Sequence, residues 1–414
     1  MQAHRPRSLL RIPALLVLTL TLALGSGFFA SCAFAQKIRP DFWGLHDNDW
    51  TNPPTVPVGS ANLTTTGVFW TSIEPTKGNY DWTLLTAQVN AAEAIHAQPM
   101  ILLGRTPQFY SSRPVSPDYN KYMPDLGAWR RYVGAVAAKF GTRLDYQIWP
   151  EPNIPQNWLG TPREMAQLTA AASKAIKAKA GKNAKVVAPA LPIRLKGERK
   201  WAIKYYKQSV GGKRVAQYVD VVAIDPYPME DGTPEDSYQL TQSFKKQLAH
   251  IGVRKPIWSN EINYGVVGGY RPVTRDYSVD EQQSYVVRTY ALSAAARMQR
   301  TYWLAWIPVP DVAIDMTDSD GQSLPPAESY EVVRSWLNGT QFGGCAKAKS
   351  GLWVCSARKG TEIRRIYWDP KGKTTIKTPG TSLRLEDQEG DIDNRAGSRR
   401  IRVDFRPIMV ASRR

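Results

Sequence analysis

Eight short apolar runs recur through the chain up to residue 306, and most are separated from the next by a segment with helical spacing. The runs cover residues 40–46, 66–73, 99–104, 144–149, 184–189, 219–225, 256–259 and 302–306. They are apolar on both faces, as strands of a parallel sheet covered by helices are. Eight right-handed β-helix-β units predict an α/β fold of the (β/α)8 TIM-barrel type. An open doubly wound sheet is the alternative, but no Gly-rich dinucleotide loop follows the first run.

Helix start signals lie between these runs. Asp125 can cap a helix, and Thr161 with Glu164 and Ser278 with Glu281 form capping boxes. In a capping box the Ser or Thr side chain and the Glu side chain each bond the other residue's backbone N–H, so helix starts are expected at these positions.

The pattern changes after Gly339. Short alternating runs at residues 352–355, 363–368, 374–377 and 401–405 are split by Gly and Pro turns. Such runs are typical of antiparallel strands. We therefore predict a catalytic barrel over residues 36–338 and a small antiparallel, β-sandwich-like module over residues 339–414. The charged stretch 384–400 is expected to be a long loop.

The N-terminus resembles an export signal. Three arginines precede an apolar stretch over residues 12–24, and Ala33-Phe-Ala35 offers a cleavage site before Gln36. This order predicts a signal peptide over residues 1–35 and a periplasmic or secreted protein. An uncleaved anchor and a lipidated Cys32 are the alternatives, the latter a poor match at Phe29.

Cysteine usage agrees with export. Removing the signal leaves Cys345 and Cys355, whose even count and close spacing predict one disulfide. A metal site would need further ligands nearby. Histidine is scarce, at four residues, which argues against a zinc cluster or a histidine-based triad. We expect neither a metal nor another cofactor.

The formal net charge is +18, and from Thr340 onward the chain holds 17 basic and 8 acidic residues. Such a balance favours anionic partners, namely acidic polysaccharide, lipid headgroups or nucleic acid. No nucleic-acid-binding signature accompanies the charge, so we expect no nucleic-acid partner. We also expect no stable membrane insertion after signal removal. The alternative is a merely solvated basic surface. Nothing in the sequence indicates the oligomeric state.

Two glutamates stand at the ends of Trp-containing runs. Glu151 follows the fourth run and Glu261 follows the seventh. The strands of a barrel end at one mouth, where the active sites of this fold lie, so these carboxylates can face each other. Hydrolysis of a glycosidic bond needs such a pair, one as acid and one beside the anomeric carbon. The structural alternative is two surface acids at strand ends.

The motif Trp149-Pro-Glu151-Pro-Asn153 resembles the Trp-Asn-Glu-Pro-Asn motif of clan A glycoside hydrolases. Further segments are similar to glycoside hydrolase family 39 in particular: residues 42–46, 70–82, 225–227 and 258–261, with the trailing β module. The resemblance implies a retaining glycosidase that cleaves O-glycosidic bonds by double displacement, with Glu151 as acid/base and Glu261 as nucleophile. The residues implied or considered for sugar binding are His46, Trp149, Asn153, Trp158, Asp225, Tyr227, Asn263, Tyr264 and Trp306. Tyr227 is also the candidate to keep Glu261 ionised.

The chain departs from the family pattern at two positions. Pro150 stands where the clan has an Asn that normally bonds the sugar 2-hydroxyl, and proline has no donor to replace it. Asp225 stands where the sixth-strand His is expected, and a third carboxylate could shift the proton balance of the pair or bind a hydroxyl. These departures motivate a catalytically impaired, carbohydrate-binding barrel as the alternative to an enzyme acting on an oligo- or polysaccharide, possibly an acidic exopolysaccharide. A third hypothesis is binding of acidic polymer or membrane through the basic β module.

Overall fold

A computed structural model of the chain describes residues 36–414. The predicted signal peptide over residues 1–35, with Cys32, lies outside the described residues, so cleavage and lipidation stay predictions. Across the described range, no helix is both long and apolar enough to cross a membrane.

Within residues 36–414, eight parallel strands surround a central core and helices cover the outside. The strands, numbered one to eight, are Trp43–His46, Ser60–Asn62, Gln98–Leu103, Asp145–Ile148, the split pair Val186–Val187 and Leu191–Pro192, Val222–Asp225, Ile257–Ile262 and Met298–Trp303. Strand eight pairs with strand one, and the two pieces of strand five pair with strands four and six. The sheet therefore closes, and the predicted TIM barrel is confirmed.

The α-helices of the described chain are, from α1 to α8, Trp70–Ile73, Thr83–Ala94, Leu126–Phe140, Pro162–Lys179, Lys196–Tyr206, Pro234–His250, Val279–Ala295 and Pro325–Leu337. In the described chain, α1 and α2 lie between strands two and three, one α-helix follows each later strand, and strands one and two are joined without an α-helix. The expected caps are present. Asp125 accepts from the backbone N–H of Ala128 at 2.7 Å, and both capping boxes form, at the starts of α4 and α7.

The predicted second strand was wrong. Residues 66–73 hold the short helix α1, and strand two is Ser60–Asn62. This strand has no apolar run because its polar side chains find partners inside the barrel; Ser60 Oγ donates to the Asp41 carbonyl at 2.7 Å. The apolar residues of α1 are buried in another way: Trp70 stacks on Tyr132 at 4.6 Å between ring centroids.

Two strand boundaries also differ from the prediction. Strand seven continues to Ile262, so Glu261 lies within it rather than after it. Strand eight starts at Met298 and ends at Trp303, which leaves Trp306 beyond its end. Terminal residues are the least certain part of any strand assignment from sequence.

Behind the barrel lies an antiparallel sheet, as predicted. In the described chain it has seven strands, in the order Gln36–Lys37, Gln341–Lys347, Trp353–Lys359, Glu362–Trp368, Ile408–Arg413, Ser382–Asp387 and Ile392–Asp393, and a separate ribbon pairs Thr374–Lys377 with Arg400–Val403. The first described residues thus join the C-terminal sheet. Cys345 and Cys355 lie opposite each other on neighbouring strands and form the predicted disulfide.

The expected loop over residues 384–400 is partly strand. Ser382–Asp387 and Ile392–Asp393 pair with each other, and the former also pairs with the last strand. Charged side chains fit here because they are paired: Arg384 donates to Glu362 at 2.8 Å and to Glu386 at 2.6 Å. These ion pairs are not visible in the sequence, where a polar, charged stretch predicts a loop.

Buried polar contacts join the sheet to the barrel helices. Glu235 of α6 accepts from the Arg288 guanidinium of α7, with Nε at 2.9 Å. The same carboxylate accepts from the indole N–H of Trp368 on the C-terminal sheet at 2.7 Å. Both members of the ion pair are almost fully buried, so the barrel and the sheet share one polar joint within an apolar core.

Candidate active site

Three carboxylates meet at the mouth of the barrel. Glu151 lies just past strand four, Asp225 ends strand six, and Glu261 is the fifth residue of strand seven. They converge because all the strands of a parallel barrel end at the same face. One oxygen from each carboxylate lies within 4.8 Å of one from each of the other two.

The backbone around Glu151 adopts a conformation that is rare for residues other than glycine. Trp149 has φ of 55° and Glu151 has φ of 36°, both in the sparsely populated left-handed region. The Trp149 side chain is fully buried and its indole N–H donates to the Asn157 carbonyl at 3.0 Å. Such strain persists only where surrounding packing holds it, and it concentrates at functional sites.

The two oxygens of Glu151 have different surroundings. Oε2 accepts from the Asn157 amide at 2.9 Å and from the Tyr270 hydroxyl at 3.0 Å. No described residue donates to Oε1, so this oxygen is free for a ligand. Burial raises the pKa of Glu151, and the charges of Glu198 and Asp311 add to the rise, while the Tyr270 hydroxyl opposes it.

Glu261 is partly buried and accepts a hydrogen bond from the Tyr227 hydroxyl at 3.2 Å. Burial and the nearby charge of Glu151 raise its pKa, and the Tyr227 hydroxyl lowers it. Like charges this close repel, so each of the three carboxylates opposes the ionisation of its neighbours.

Asp225 has no solvent-exposed surface. Neither of its oxygens has a partner at strict hydrogen-bond geometry within the described chain. Burial, followed by the charges of Glu261 and Glu151, raises its pKa well above the usual value; the Asn260 amide and the Glu261 backbone N–H only partly offset this.

The carboxylates open into a cavity of about 640 Å³. Its wall includes residues that the sequence did not point to: Glu198, the Arg194 side chain, Asp311 and the loop that carries Tyr270. Arg194 holds this loop, donating to the carbonyls of Val266 at 2.7 Å and Val267 at 3.2 Å. The one available signal was the Gly268-Gly269-Tyr270 turn after strand seven, since loops at strand ends carry function.

Of the predicted site residues, the structure brings Glu151, Asp225, Tyr227 and Glu261 into the cavity wall. The others are not among the residues that line this cavity: His46, Trp149, Asn153, Trp158, Asn263, Tyr264 and Trp306. Some of their polar atoms bond within the protein. Asn263, for example, donates to the Leu304 carbonyl at 2.5 Å, and Asn153 donates to the Pro192 carbonyl at 2.7 Å.

His46 is the clearest case of internal use. Its ring is fully buried, and Nε2 lies 2.8 Å from the Asn260 carbonyl oxygen. Burial lowers the pKa of His46 to about 4, so the ring is neutral at physiological pH. It supports strand seven from below the mouth of the barrel.

A larger cavity, of about 820 Å³, lies at the opposite end of the barrel beside Arg300. Here the buried charges satisfy each other: Arg300 donates to Asp145 at 2.6 Å and its guanidinium lies 4.0 Å from the Trp258 ring centroid. This end of a barrel serves stability rather than chemistry. Size alone therefore does not identify the site.

No protein-family model matches this sequence, and no curated protein sequence matches it. Solved structures are similar. A family 39 glycoside hydrolase from Bacteroides cellulosilyticus WH2 matches with a TM-score of 0.69 and 19% identity over 91% of this chain and 81% of its own. A GH39 enzyme from Xanthomonas axonopodis pv. citri matches with a TM-score of 0.60 and 11% identity, over 92% and 95%. A GH30 endoxylanase from Clostridium papyrosolvens C71 matches at 0.59 and 14%, over 92% and 98%. The chain thus has the fold of glycoside hydrolases along nine tenths of its length, and at the level of fold the predicted resemblance to family 39 is confirmed.

Proposed function

We propose that this chain is a retaining glycoside hydrolase that cleaves O-glycosidic bonds of a polysaccharide by double displacement. The observation that carries the proposal is the approach of Glu151 and Glu261 to within 4.8 Å across the barrel mouth. Retaining enzymes hold their two carboxyl groups about 5 to 5.5 Å apart, whereas inverting enzymes need more room for a water molecule.

Glu151 is the proposed acid/base. As acid it must carry a proton when the substrate binds, which its burial favours by raising the pKa. The proton belongs on Oε1, because Oε2 is already held by Asn157 and Tyr270. When Glu261 becomes an ester, its negative charge is lost. The pKa of Glu151 then falls, and Glu151 can act as the base that activates water.

Glu261 is the proposed nucleophile. It sits within a strand, which limits its motion, and the Tyr227 hydroxyl stabilises its charged form. Burial raises the pKa of both glutamates, and the charge of Glu151 adds to the rise at Glu261. These shifts fit a pair that shares one proton in the resting state.

The charged residues of the cavity wall limit which charge the bound sugar can carry. Its wall carries the carboxylates of Glu151, Glu198, Asp225, Glu261 and Asp311 against the guanidinium groups of Arg194 and Arg271. Although the basic surface of the whole chain favours an acidic polymer, this wall disfavours an acidic sugar at the point of cleavage. The polysaccharide is therefore proposed to carry a neutral or cationic residue there.

Export to the periplasm or the exterior is proposed with the activity. The Cys345–Cys355 disulfide supports it, because such bonds persist in oxidising compartments. An extracellular location would also give the enzyme access to polysaccharide.

The test is hydrolysis of a panel of aryl glycosides by the purified protein. The Glu261→Gln variant should lose nearly all activity, and activity equal to that of the unchanged protein would refute the proposal. For Glu151→Ala, leaving-group chemistry provides a control: a loss of about 10²- to 10⁴-fold is expected for substrates that need an acid, and much less for dinitrophenyl leaving groups that do not.

A binding-only barrel is the second candidate, favoured by the third carboxylate at Asp225. It predicts sugar binding without turnover of any panel member. Turnover that disappears in Glu151→Ala with a poor leaving group rules it out.

A further inference from the structure

Asp225 has no role in the double displacement described above, yet burying its carboxylate is energetically unfavourable. The side chain is fully buried, and neither oxygen has a well-aligned hydrogen-bond partner in the described chain; the Asn260 amide and the Glu261 backbone N–H lie near it and only partly stabilise its charge. An unpaired carboxylate away from water is strongly unfavourable unless a proton or a cation neutralises it. A proton can do this in the free protein. A cationic group of the substrate could take the place of that proton, and the cavity beside Asp225 leaves room for it.

Besides the Asn260 amide and the Glu261 backbone N–H, the neighbours of Asp225 include two carboxylates, which accept hydrogen bonds. Glu151 and Glu261 each have an oxygen within 4.8 Å of it. The hydroxyls of Tyr227 and Tyr270 are further donors at the site, and both already donate to these glutamates. A ligand group that enters this space meets carboxylate oxygens on several sides.

The arginines of the cavity do not change this balance at Asp225. Arg194 donates to the carbonyls of Val266 and Val267. Arg271 is exposed and donates to the Gly268 carbonyl at 3.1 Å. Both guanidinium groups are thus engaged by the loop above the site.

The position of Asp225 also selects which part of a sugar it would contact. In the proposed mechanism the anomeric carbon lies between Glu261 and Glu151, and Asp225 is within 4.8 Å of both. The anomeric carbon has two ring neighbours, the ring oxygen and C2. Only C2 carries a substituent that can donate a hydrogen bond, so Asp225 is placed to bind the group on C2.

An ammonium group fits this surrounding best. It offers three donors and no acceptor, and it neutralises the buried carboxylate. A hydroxyl leaves the charge uncompensated, and an acetamido group adds bulk without charge. Pro150, next to Glu151, offers no side-chain donor that a hydroxyl oxygen could use.

We propose that the cavity binds a 2-amino-2-deoxy sugar, with its free ammonium group on Asp225. The inference rests on the proposed function, which sets the place of the anomeric carbon. The net charge of +18 does not oppose it, because exposed charges are screened beyond about 8 Å at physiological ionic strength. The buried carboxylates beside the sugar act at shorter range.

Binding of free monosaccharides tests this without any hydrolysis. Glucosamine, N-acetylglucosamine and glucose, and the matching galactose series, differ within each series only at C2. In at least one series the unchanged protein should bind the amine about tenfold or more tightly than its two counterparts, as a charge-assisted hydrogen bond allows. Asp225→Asn, which keeps the shape, should lose that preference, whereas Asp320→Asn, which removes a charge at an exposed position, should keep it.

Equal or undetectable binding of the amines overturns the inference, as does a preference that survives in Asp225→Asn. Titration with Mg²⁺, Ca²⁺ and Mn²⁺ supplies a further arm. One divalent ion bound by the unchanged protein and lost in Asp225→Asn assigns the three carboxylates to a metal instead. Because a monosaccharide has no glycosidic bond, the result is independent of turnover. Amine preference without hydrolysis refutes the proposed enzyme alone, and hydrolysis without amine preference refutes this inference alone.

Discussion

The Tyr270 hydroxyl lies 3.0 Å from Oε2 of Glu151, although the two residues are 119 positions apart. Tyr270 stands on a turn in which Gly268, Gly269 and Tyr270 all have positive φ, at 99°, 69° and 54°. The residue is 56% exposed, yet its hydroxyl reaches into the site. The loop that follows strand seven thus reaches the site and holds Glu151 through Tyr270.

Tyr270→Phe should move the pH dependence of catalysis. The hydroxyl donates to the charged form of Glu151 and so lowers its pKa. Without it the pKa rises, and the protonated acid persists to higher pH. The basic limb of the kcat/KM profile is expected to shift upward by about one pH unit, the size of one hydrogen bond to a charged group.

Tyr277→Phe is the matched control for this profile. The Tyr277 hydroxyl is buried with no partner in the described chain, and it does not contact Glu151. Its removal should leave the basic limb in place. An unmoved limb in Tyr270→Phe, or an equal shift in both variants, contradicts the role given to Tyr270.

Gly268→Ala should displace the same loop. A Cβ at Gly268 would lie 2.2 Å from Nη2 of Arg194, and the φ of +99° is unfavourable for alanine. Since misplacing a contacting group by about 1 Å can cost about 100-fold in rate, kcat/KM should fall by about 10- to 100-fold. Hydrogen exchange should rise in the peptide that covers residues 265–272.

Gly197→Ala provides the comparison for that variant. Nothing lies within 4 Å of a Cβ at this helical position and its φ is ordinary. Activity and exchange should stay as in the unchanged protein. If Gly268→Ala is equally silent, Arg194 does not set the position of the loop.

Glu235→Gln should destabilise the joint between the barrel and the C-terminal sheet. It leaves the buried Arg288 guanidinium without its charge partner, which typically costs about 3 to 5 kcal/mol. Arg395→Gln removes a partner from an ion pair in which the arginine is 81% exposed, and should cost far less, because solvent screens an exposed pair. Urea denaturation measures both; similar losses in the two variants would show that burial is not what gives the joint its strength.

Local signals explain what the sequence could predict. Helix caps such as Thr161 with Glu164 depend on residues close in the chain, and the apolar runs of strands three to eight mark buried backbone. Strand two was not predicted, because Ser60 and Asn62 are polar and their burial depends on hydrogen bonds to residues distant in the chain. Hydrophobic periodicity does not reveal such bonds. The convergence of Glu151 and Glu261 follows from barrel topology once the strands are counted in order.

The remaining part of the site depends on the path of loops. Arg194 binds the loop that carries Tyr270 through the backbone carbonyls of residues 266–267. Every residue has a backbone carbonyl, so this contact leaves no pattern in the sequence. Aromatic and amide residues at strand ends, such as Trp306 and Asn263, suggested sugar contacts. In the structure both are buried, and the Asn263 amide donates to the carbonyls of Leu304 and Ile314, because buried polar groups at strand ends must find partners within the protein.

The central claim is that Glu151 and Glu261 act as a retaining pair. The most direct measurement is ¹H NMR of the first sugar released from the aryl glycoside that the protein cleaves fastest, recorded before mutarotation. The account predicts that the released sugar has the same anomeric configuration as the substrate. Release of the opposite anomer would contradict it. Inversion requires room for a water molecule between the two carboxylates, and in this structure an oxygen of each lies within 4.8 Å of the other.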